Sequence, residues 1–290
     1  MLAIYKRELR SYFTNMLGCA FSALLLAAAG FFSAQININS AQSRLEYSLY
    51  MLVHYCILII IVPFLTMRSI AEERHQKTEQ LLFSLPLPIW KIVLAKYFAM
   101  LTVCLIPVVV LCFYPIFFSF YGTVNFVGAY ASLLLLVFLI AAIIAIGMFV
   151  SSLFENQIIA VIVSIGLLLV LYFLTYIANS ISSAAVTSLI AFCCVAFIFG
   201  LIVFFTTKNE TAAVLCGGLP VIGLIAYYLS NKNAFIGAFA EVVSYLSIFD
   251  RYKETVINGL FDITALVYYI TIAVVFVFVT IQSVEKRRWN

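Results

Sequence analysis

Few side chains in this sequence can do chemistry, and one interval gathers many of them. Between Arg68 and Lys96 it reads RSIAEERHQKTEQLLFSLPLPIWKIVLAK. The interval holds Arg68, Arg74, Lys77, Lys91 and Lys96, five of the sixteen Lys and Arg residues, and Glu72, Glu73 and Glu79, three of the twelve acids. Charges of both signs at this density suit a contact surface that transmits motion, and no catalytic residue is assigned. Ser69-Ile70-Ala71-Glu72 has capping-box spacing, in which serine and glutamate side chains satisfy the first N–H groups of a helix. Glu73 precedes Lys77 by four residues, the favourable order for a helical ion pair. The nine polar residues from Glu72 to Gln80 predict a short exposed helix. Leu81, Leu82, Phe83 and Leu85 then return the chain to apolar sequence, and Pro86 and Pro88 break the helix before Trp90 opens the next.

Other chemistries find little footing. The seven cysteines (Cys19, Cys56, Cys104, Cys112, Cys193, Cys194 and Cys216) fall in apolar runs without a CxxC pair. They read as small buried hydrophobes, with neither structural disulfides nor a metal site expected. There is no GxxxxGK[ST] phosphate loop, so ATP is not bound by that motif and a partner must supply any hydrolysis. The chain is therefore not expected to be an enzyme or to hold a cofactor. His54 is an imidazole within an apolar run, where a hydrogen-bonded structural role stands beside a functional one.

The elements around the polar interval are membrane spans. Of 290 residues, 66% are hydrophobic and 10% charged, with mean hydropathy +1.16, where a soluble domain carries roughly 25% charged residues. Long apolar runs without charge predict an all-α, polytopic helical membrane protein with about eight spans. They lie at about 16–36, 49–67, 97–120, 130–153, 158–178, 184–206, 212–229 and 263–283. No Asp, Glu, Lys or Arg falls inside these bounds, which counts against ion-coupled transport. Eight spans put both termini on one side. With that side inside, Lys6, Arg7, Arg10, Arg68, Arg74, Lys77, Lys91, Lys96, Lys208, Lys286, Arg287 and Arg288 are cytoplasmic. Only Arg44, Lys232, Arg251 and Lys253 lie outside. Twelve against four fits the positive-inside rule and places the polar interval in the cytoplasm of a multi-pass plasma-membrane protein. The net charge of +4 is spread over termini and loops and does not point to nucleic acid.

Residues 1–15 read as an amphipathic interfacial helix, with Leu2, Tyr5, Leu9 and Tyr12 on one stripe and the anchoring cations Lys6, Arg7 and Arg10 off it. A signal peptide with Ala27 and Ala29 near its cleavage site is the rival reading. Lys286, Arg287 and Arg288 anchor the other end. Residues 230–262 form an extracytoplasmic amphipathic segment, with Phe235, Phe239, Val242, Leu246 and Phe249 at helical spacing, and Asp262 placed to cap the last span. Gly147-x-x-x-Ser151 and Ala141-x-x-x-Ala145 permit close helix approach.

Arg68-x-x-x-Glu72-Glu73-Arg74-x-x-Lys77-Thr78-x-x-Leu81-Leu82-x-Ser84-x-Pro86, with Ile92-Val93-Leu94-x-Lys96, resembles permease subunits of type-2 ATP-binding-cassette exporters. It is most similar to the branch of gliding-motility and nitrous-oxide-reductase-maturation permeases. Phe154-Glu155-Asn156-Gln157, Phe249-Asp250-Arg251-Tyr252, Asn258-Gly259, Asp262, Val267-Tyr268-Tyr269 and Glu285-Lys286-Arg287-Arg288-Trp289 extend the similarity to the C-terminus. The resemblance implies a single permease domain over 1–290 with a six-span core, so that 184–229 reads as an inserted helix pair. It implies that 68–96 holds a coupling helix, narrowed to 69–85, which docks in a groove of a separate ATPase. Arg68, Glu72, Glu73, Arg74, Lys77, Thr78, Glu79 and Leu82 would carry that contact. It further implies two ATPase copies using ATP and magnesium, a second permease, identical or related, and short outer helices dipping into the membrane over 230–262. The expected function is export of an amphipathic or hydrophobic substrate such as a lipid, peptide, antibiotic or glycan. The alternatives are an ion-coupled carrier or channel and a non-transporting membrane partner of an ATPase.

Overall fold

The computed structural model describes residues 1–39, 44–78, 88–120, 122–180, 184–208, 211, 214–258 and 262–288. It is all-α, with no strand among the described residues. The helices are α1 (Leu2–Thr14), α2 (Leu17–Ser33, continued by a π-helical turn Ala34–Asn39), α3 (Leu45–His54), α4 (Ile57–Thr66) and α5 (Ala71–His75). Then follow α6 (Ile89–Leu111), α7 (Tyr114–Phe118), α8 (Phe126–Leu153), α9 (Gln157–Ser180) and α10 (Ala185–Thr207). The last are α11 (Leu219–Ser230, preceded by a π-helical turn Val214–Gly218), α12 (Ala238–Leu246), α13 (Ile248–Asn258) and α14 (Ile263–Arg288).

Among the described residues, five helices are long and apolar enough to cross a membrane, or six if the bent pair α3–α4 is one span. That reaches a six-span core. The sequence count of eight also needs 184–206 and 212–229, which appear as the shorter apolar helices Ala185–Leu201 and Val214–Ser230. The expected continuous span 49–67 is corrected. Its helices meet at 68°, with Cys56 in the left-handed region at φ 59°. A non-glycine residue held there carries about 1–2 kcal/mol of strain.

Two compact units divide the chain: residues 1–170 with 248–290, and residues 171–247. In the first, α8 is the central helix, packed by α3, α4, α6, α13 and α14. Leu135, Leu136, Leu139, Ile143, Ile144, Ile146 and Met148 are fully buried along it. The small-residue spacing in α8 does bring helices close. A Cβ on Gly147 would collide with Thr66 of α4, while the Tyr97 hydroxyl donates to the Ala141 carbonyl at 3.2 Å. Two tyrosines buried in the core find acceptors as buried hydroxyls must: Tyr252 on Ser132 O at 3.3 Å and Tyr269 on Ile248 O at 2.9 Å. In the second unit α10 packs against the turn before α11, against α11 itself and against α12. Gly217 lies so close to Gly200 that an added Cβ would stand 2.9 Å from its Cα.

Segment 230–262 is not one amphipathic helix. It is a 3-10 turn (Lys232–Phe235), α12 and α13, with Gly237 at φ 71° and Ser247 extended between them. Phe235 and Phe239 meet Phe192 in the second unit, whereas Phe249 is buried in the first. Val242 and Leu246 of the expected stripe are exposed. Asp262 does cap α14, accepting from Thr264 N at 2.8 Å. The cysteine reading is also corrected. Cys104 is buried, Cys19, Cys194 and Cys216 are exposed, and Cys56, Cys112 and Cys193 are intermediate. Most therefore sit on apolar helix surface, where a thiol needs no partner.

Candidate coupling site

The polar interval folds as predicted only in part. Helix α5 has five residues, Ala71–His75, followed by a turn through Gln76, Lys77 and Thr78. Glu79, Leu82 and Pro86 lie outside the described residues. Lys77 adopts φ 56° and ends the helix. Its N–H returns to Arg74 O at 3.0 Å, and Thr78 N–H returns to Glu73 O at 2.9 Å, closing α5 with left-handed C-terminal geometry.

The capping box does not form. Ser69 Oγ donates instead to Thr66 O at 2.8 Å. The first N–H groups of a helix need outside acceptors, and here Ser151 of α8 supplies one. Its Oγ accepts from Ala71 N at 3.1 Å and Ile70 N at 3.4 Å while donating to Met67 O at 3.1 Å. A serine near the C-terminal end of α8, the most buried of the candidate spans, thus fixes the start of α5. Glu72 turns to Arg68, which grips it through two nitrogens at 2.8 and 2.9 Å. That fork is the strong geometry for an Arg–carboxylate pair.

Glu73 does not pair with Lys77. Its Oε1 lies 2.8 Å from Lys96 Nζ and 3.0 Å from Arg7 Nη2. Lys96 also donates to Ser69 O at 2.7 Å and lies 3.3 Å from Glu8 Oε1. Arg7 reaches Glu8 at 2.7 Å. Two acids and two bases from α1, α5 and α6 thus form one neutral cluster. Lys96 is 3% exposed, Glu8 13% and Glu73 18%. Charges this buried persist only when paired. The hydrogen bond from Arg7 to Glu8 raises the guanidinium pKa above its ordinary value, burial opposes it, and the charges of Glu8 and Glu73 add to the rise.

Arg74 faces the opposite way. It lies 2.9 Å from Glu155 Oε1 and donates to Ser152 O at 3.3 Å. Arg287 donates to Leu153 O at 3.1 Å, and Ser152 Oγ meets Ser283 Oγ at 3.3 Å. The last carbonyls of α8 are thereby met by two guanidinium groups, the charge that a helix C-terminus favours. Around α5 the structure joins α1, α4, α6, α8 and α14. Among the described residues from Arg68 to Thr78, three are exposed: His75, Gln76 and Lys77.

The sequence named Arg68, Glu72, Glu73 and Arg74 as contact residues, yet their charged groups bond within the chain. It missed Glu8, Lys96, Ser151 and Glu155. The signal for Lys96 was present: α6 begins at Ile89, so Lys96 is a buried cation inside a span rather than a loop residue. The reading that no charge lies within a span is corrected on that point, and again at Glu46, 8% exposed in the first turn of α3. Of the expected anchors, Lys6, Arg10 and Lys286 are exposed, whereas Arg7 and Arg287 are engaged as above, and α14 ends at Arg288. Tyr5, on the α1 stripe, bonds Thr102 Oγ1 of α6 at 2.8 Å, and Ile4 and Tyr12 are buried. Leu2, at 68% exposure, is not part of that face. His54 stacks beside Tyr50 and Tyr55, with Tyr50 OH at 3.5 Å from Nδ1. Among the described residues no His, Cys, Asp and Glu group could hold a metal.

Apolar helices long enough to span a membrane, with one short polar helix held among them by charges, define a multi-pass helical membrane protein. The family described as ABC-2 family transporter protein matches residues 2–285, and the chain belongs to it. No curated protein and no solved structure matches the sequence. Membership makes the chain a permease subunit of an ATP-binding-cassette transporter, whose partners are the membrane and an ATPase subunit.

Proposed function

We propose that the ATPase docks on the exposed end of α5, at His75, Gln76 and Lys77 and the residues that follow them to Leu85. Closure of the ATPase pair on ATP pushes α5. The push reaches α6 and α1 through Glu73, Lys96 and Glu8, and α8 through Ser151 and Arg74. The observation that supports this reading most is the buried cluster of Arg7, Glu8, Glu73 and Lys96, which leaves α5 little freedom to move alone. ATP and magnesium are used by the partner, and this chain supplies no catalytic group. Two ATPase copies serve two permeases, identical or related, with both termini in the cytoplasm. The transported species is an amphipathic or hydrophobic molecule moved outward, in keeping with the resemblance to the gliding-motility and nitrous-oxide-reductase-maturation branch.

The test is to purify the chain from its native membrane and identify what accompanies it. An ATP-binding-cassette ATPase is expected, and Lys77→Glu is expected to release it while Glu73→Gln retains it. A purified chain without such an ATPase, or Lys77→Glu without effect on its recovery, counts against the docking site.

A further inference from the structure

In the half of α2 remote from α1, Ser33 is 3% exposed, and among the described residues its Oγ has no hydrogen-bond partner. Serines in membrane helices ordinarily donate to a carbonyl of the preceding turn, as Ser22 of the same helix does to Gly18 O at 2.8 Å. Leaving a buried hydroxyl unpaired is costly. Ser33 lies five residues before Ile38, the end of the span Leu17–Ile38, so it sits about 7 Å inside it at 1.5 Å per residue.

Ser33 lines a cavity of about 420 Å³ between α2 and the α6–α7 corner, together with Gly30, Val110, Phe113, Tyr114 and Phe117. That volume is in the range of small-molecule sites. The Tyr114 hydroxyl stands beside Gly30, 3.6 Å from where a Cβ would be. Among the described residues no charged side chain lines the space. Phe113 and Phe117 are 65% and 53% exposed, so the cavity opens on an exposed apolar surface.

We propose that this cavity binds an uncharged glycerolipid, with an ester carbonyl accepting from Ser33 Oγ and an acyl chain lying against Val110, Phe113 and Phe117. The bilayer carries one abundant acceptor that is soluble in hydrocarbon, the ester carbonyl. A phosphate-bearing headgroup would find no cation here, and a glyceride without phosphate can sit deeper. The site depends only on the first compact unit and stands apart from the ATPase-docking reading.

The full-length chain in phosphatidylcholine nanodiscs is illuminated with a diacylglycerol carrying a diazirine on its acyl chain, or with phosphatidylcholine carrying the same chain. The diacylglycerol labels the peptides around Gly30 to Ile38 and Val110 to Phe117, and the phospholipid labels them weakly. Ser33→Ala removes one hydrogen bond and lowers this labelling about fivefold, while labelling of the lipid-facing side of α14 is unchanged. Ala34→Phe, which fills the cavity, gives the same loss. Diacylglycerol also raises the thermal midpoint of the wild-type chain more than that of Ser33→Ala. Equal labelling by the two lipids, or labelling unaffected by Ser33→Ala, overturns the proposal. So does a photoreactive residue at Phe117 that captures a second copy of the chain in place of lipid.

Discussion

Replacing Lys96 by methionine removes the centre of the charge cluster and keeps the length of its apolar stem. Lys96 is 3% exposed and makes contacts at 2.7, 2.8 and 3.3 Å to Ser69 O, Glu73 and Glu8. Taking one partner from a buried ion pair typically costs about 3–5 kcal/mol, because the other charge stays buried. Arg7 lies 3.0 Å from Glu73 and remains in the variant, so the low end, about 3 kcal/mol, is expected. Arg7 itself is 56% exposed, and a pair screened by solvent contributes about 0–1 kcal/mol. Arg7→Ala should therefore be several-fold milder. Combining Lys96→Met with Glu73→Leu removes both charges, and replacing a buried pair with apolar residues is often near neutral. The double variant should recover at least half of the loss. The assay is equilibrium unfolding of the full chain in mixed micelles, read by circular dichroism. If Lys96→Met is no worse than Arg7→Ala, or the double variant is worse than Lys96→Met alone, the cluster does not hold α5 as described.

Ser151→Ala leaves the Ile70 and Ala71 N–H groups without their acceptor, at about 1–3 kcal/mol; hydrogen exchange at Ala71 to Arg74 should quicken while α14 is unaffected. Gly147→Ala drives a methyl into Thr66 and should lower the unfolding midpoint, with Thr66→Ala restoring part of it. Lys77→Gly relieves the left-handed backbone at φ 56° and should raise the unfolding free energy in the same circular-dichroism assay slightly, by about 1 kcal/mol. The bonds from the Thr264 side chain and then its N–H lower the Asp262 pKa. Its contribution to the start of α14 is therefore complete above roughly pH 4, where an unfolded-chain aspartate titrates. It fades as pH falls through the lower folded value. Exchange at Thr264 to Ala265 should rise only in that acid range, and Asp262→Ala should abolish the dependence.

The spans were legible because hydrocarbon admits few alternatives to long apolar helices, and Asp262 was legible because capping is local. The break at Cys56 was not, since nothing in Leu52 to Leu58 marks a left-handed residue. The capping box failed for a tertiary reason. Ser151 lies eighty residues from Ala71 in sequence yet reaches its N–H group, which frees Ser69 for Thr66. The Glu73–Lys77 pair failed in the same way, because Lys96 and Arg7 offer Glu73 a more buried site than an exposed lysine can. Sequence spacing found the segment, but which charges face inward was decided by helices far along the chain.

His75, Gln76 and Lys77 are the exposed residues of the proposed docking site, and one measurement addresses it most directly. A photoreactive benzoylphenylalanine at Gln76 is illuminated in native membranes, and the captured chain is identified by mass spectrometry. An ATP-binding-cassette ATPase should be captured, with a yield that changes when ATP is added, while the same probe at Phe278 on the apolar surface of α14 captures none. Capture of lipid alone at Gln76, or equal ATPase capture from both positions, would contradict the account.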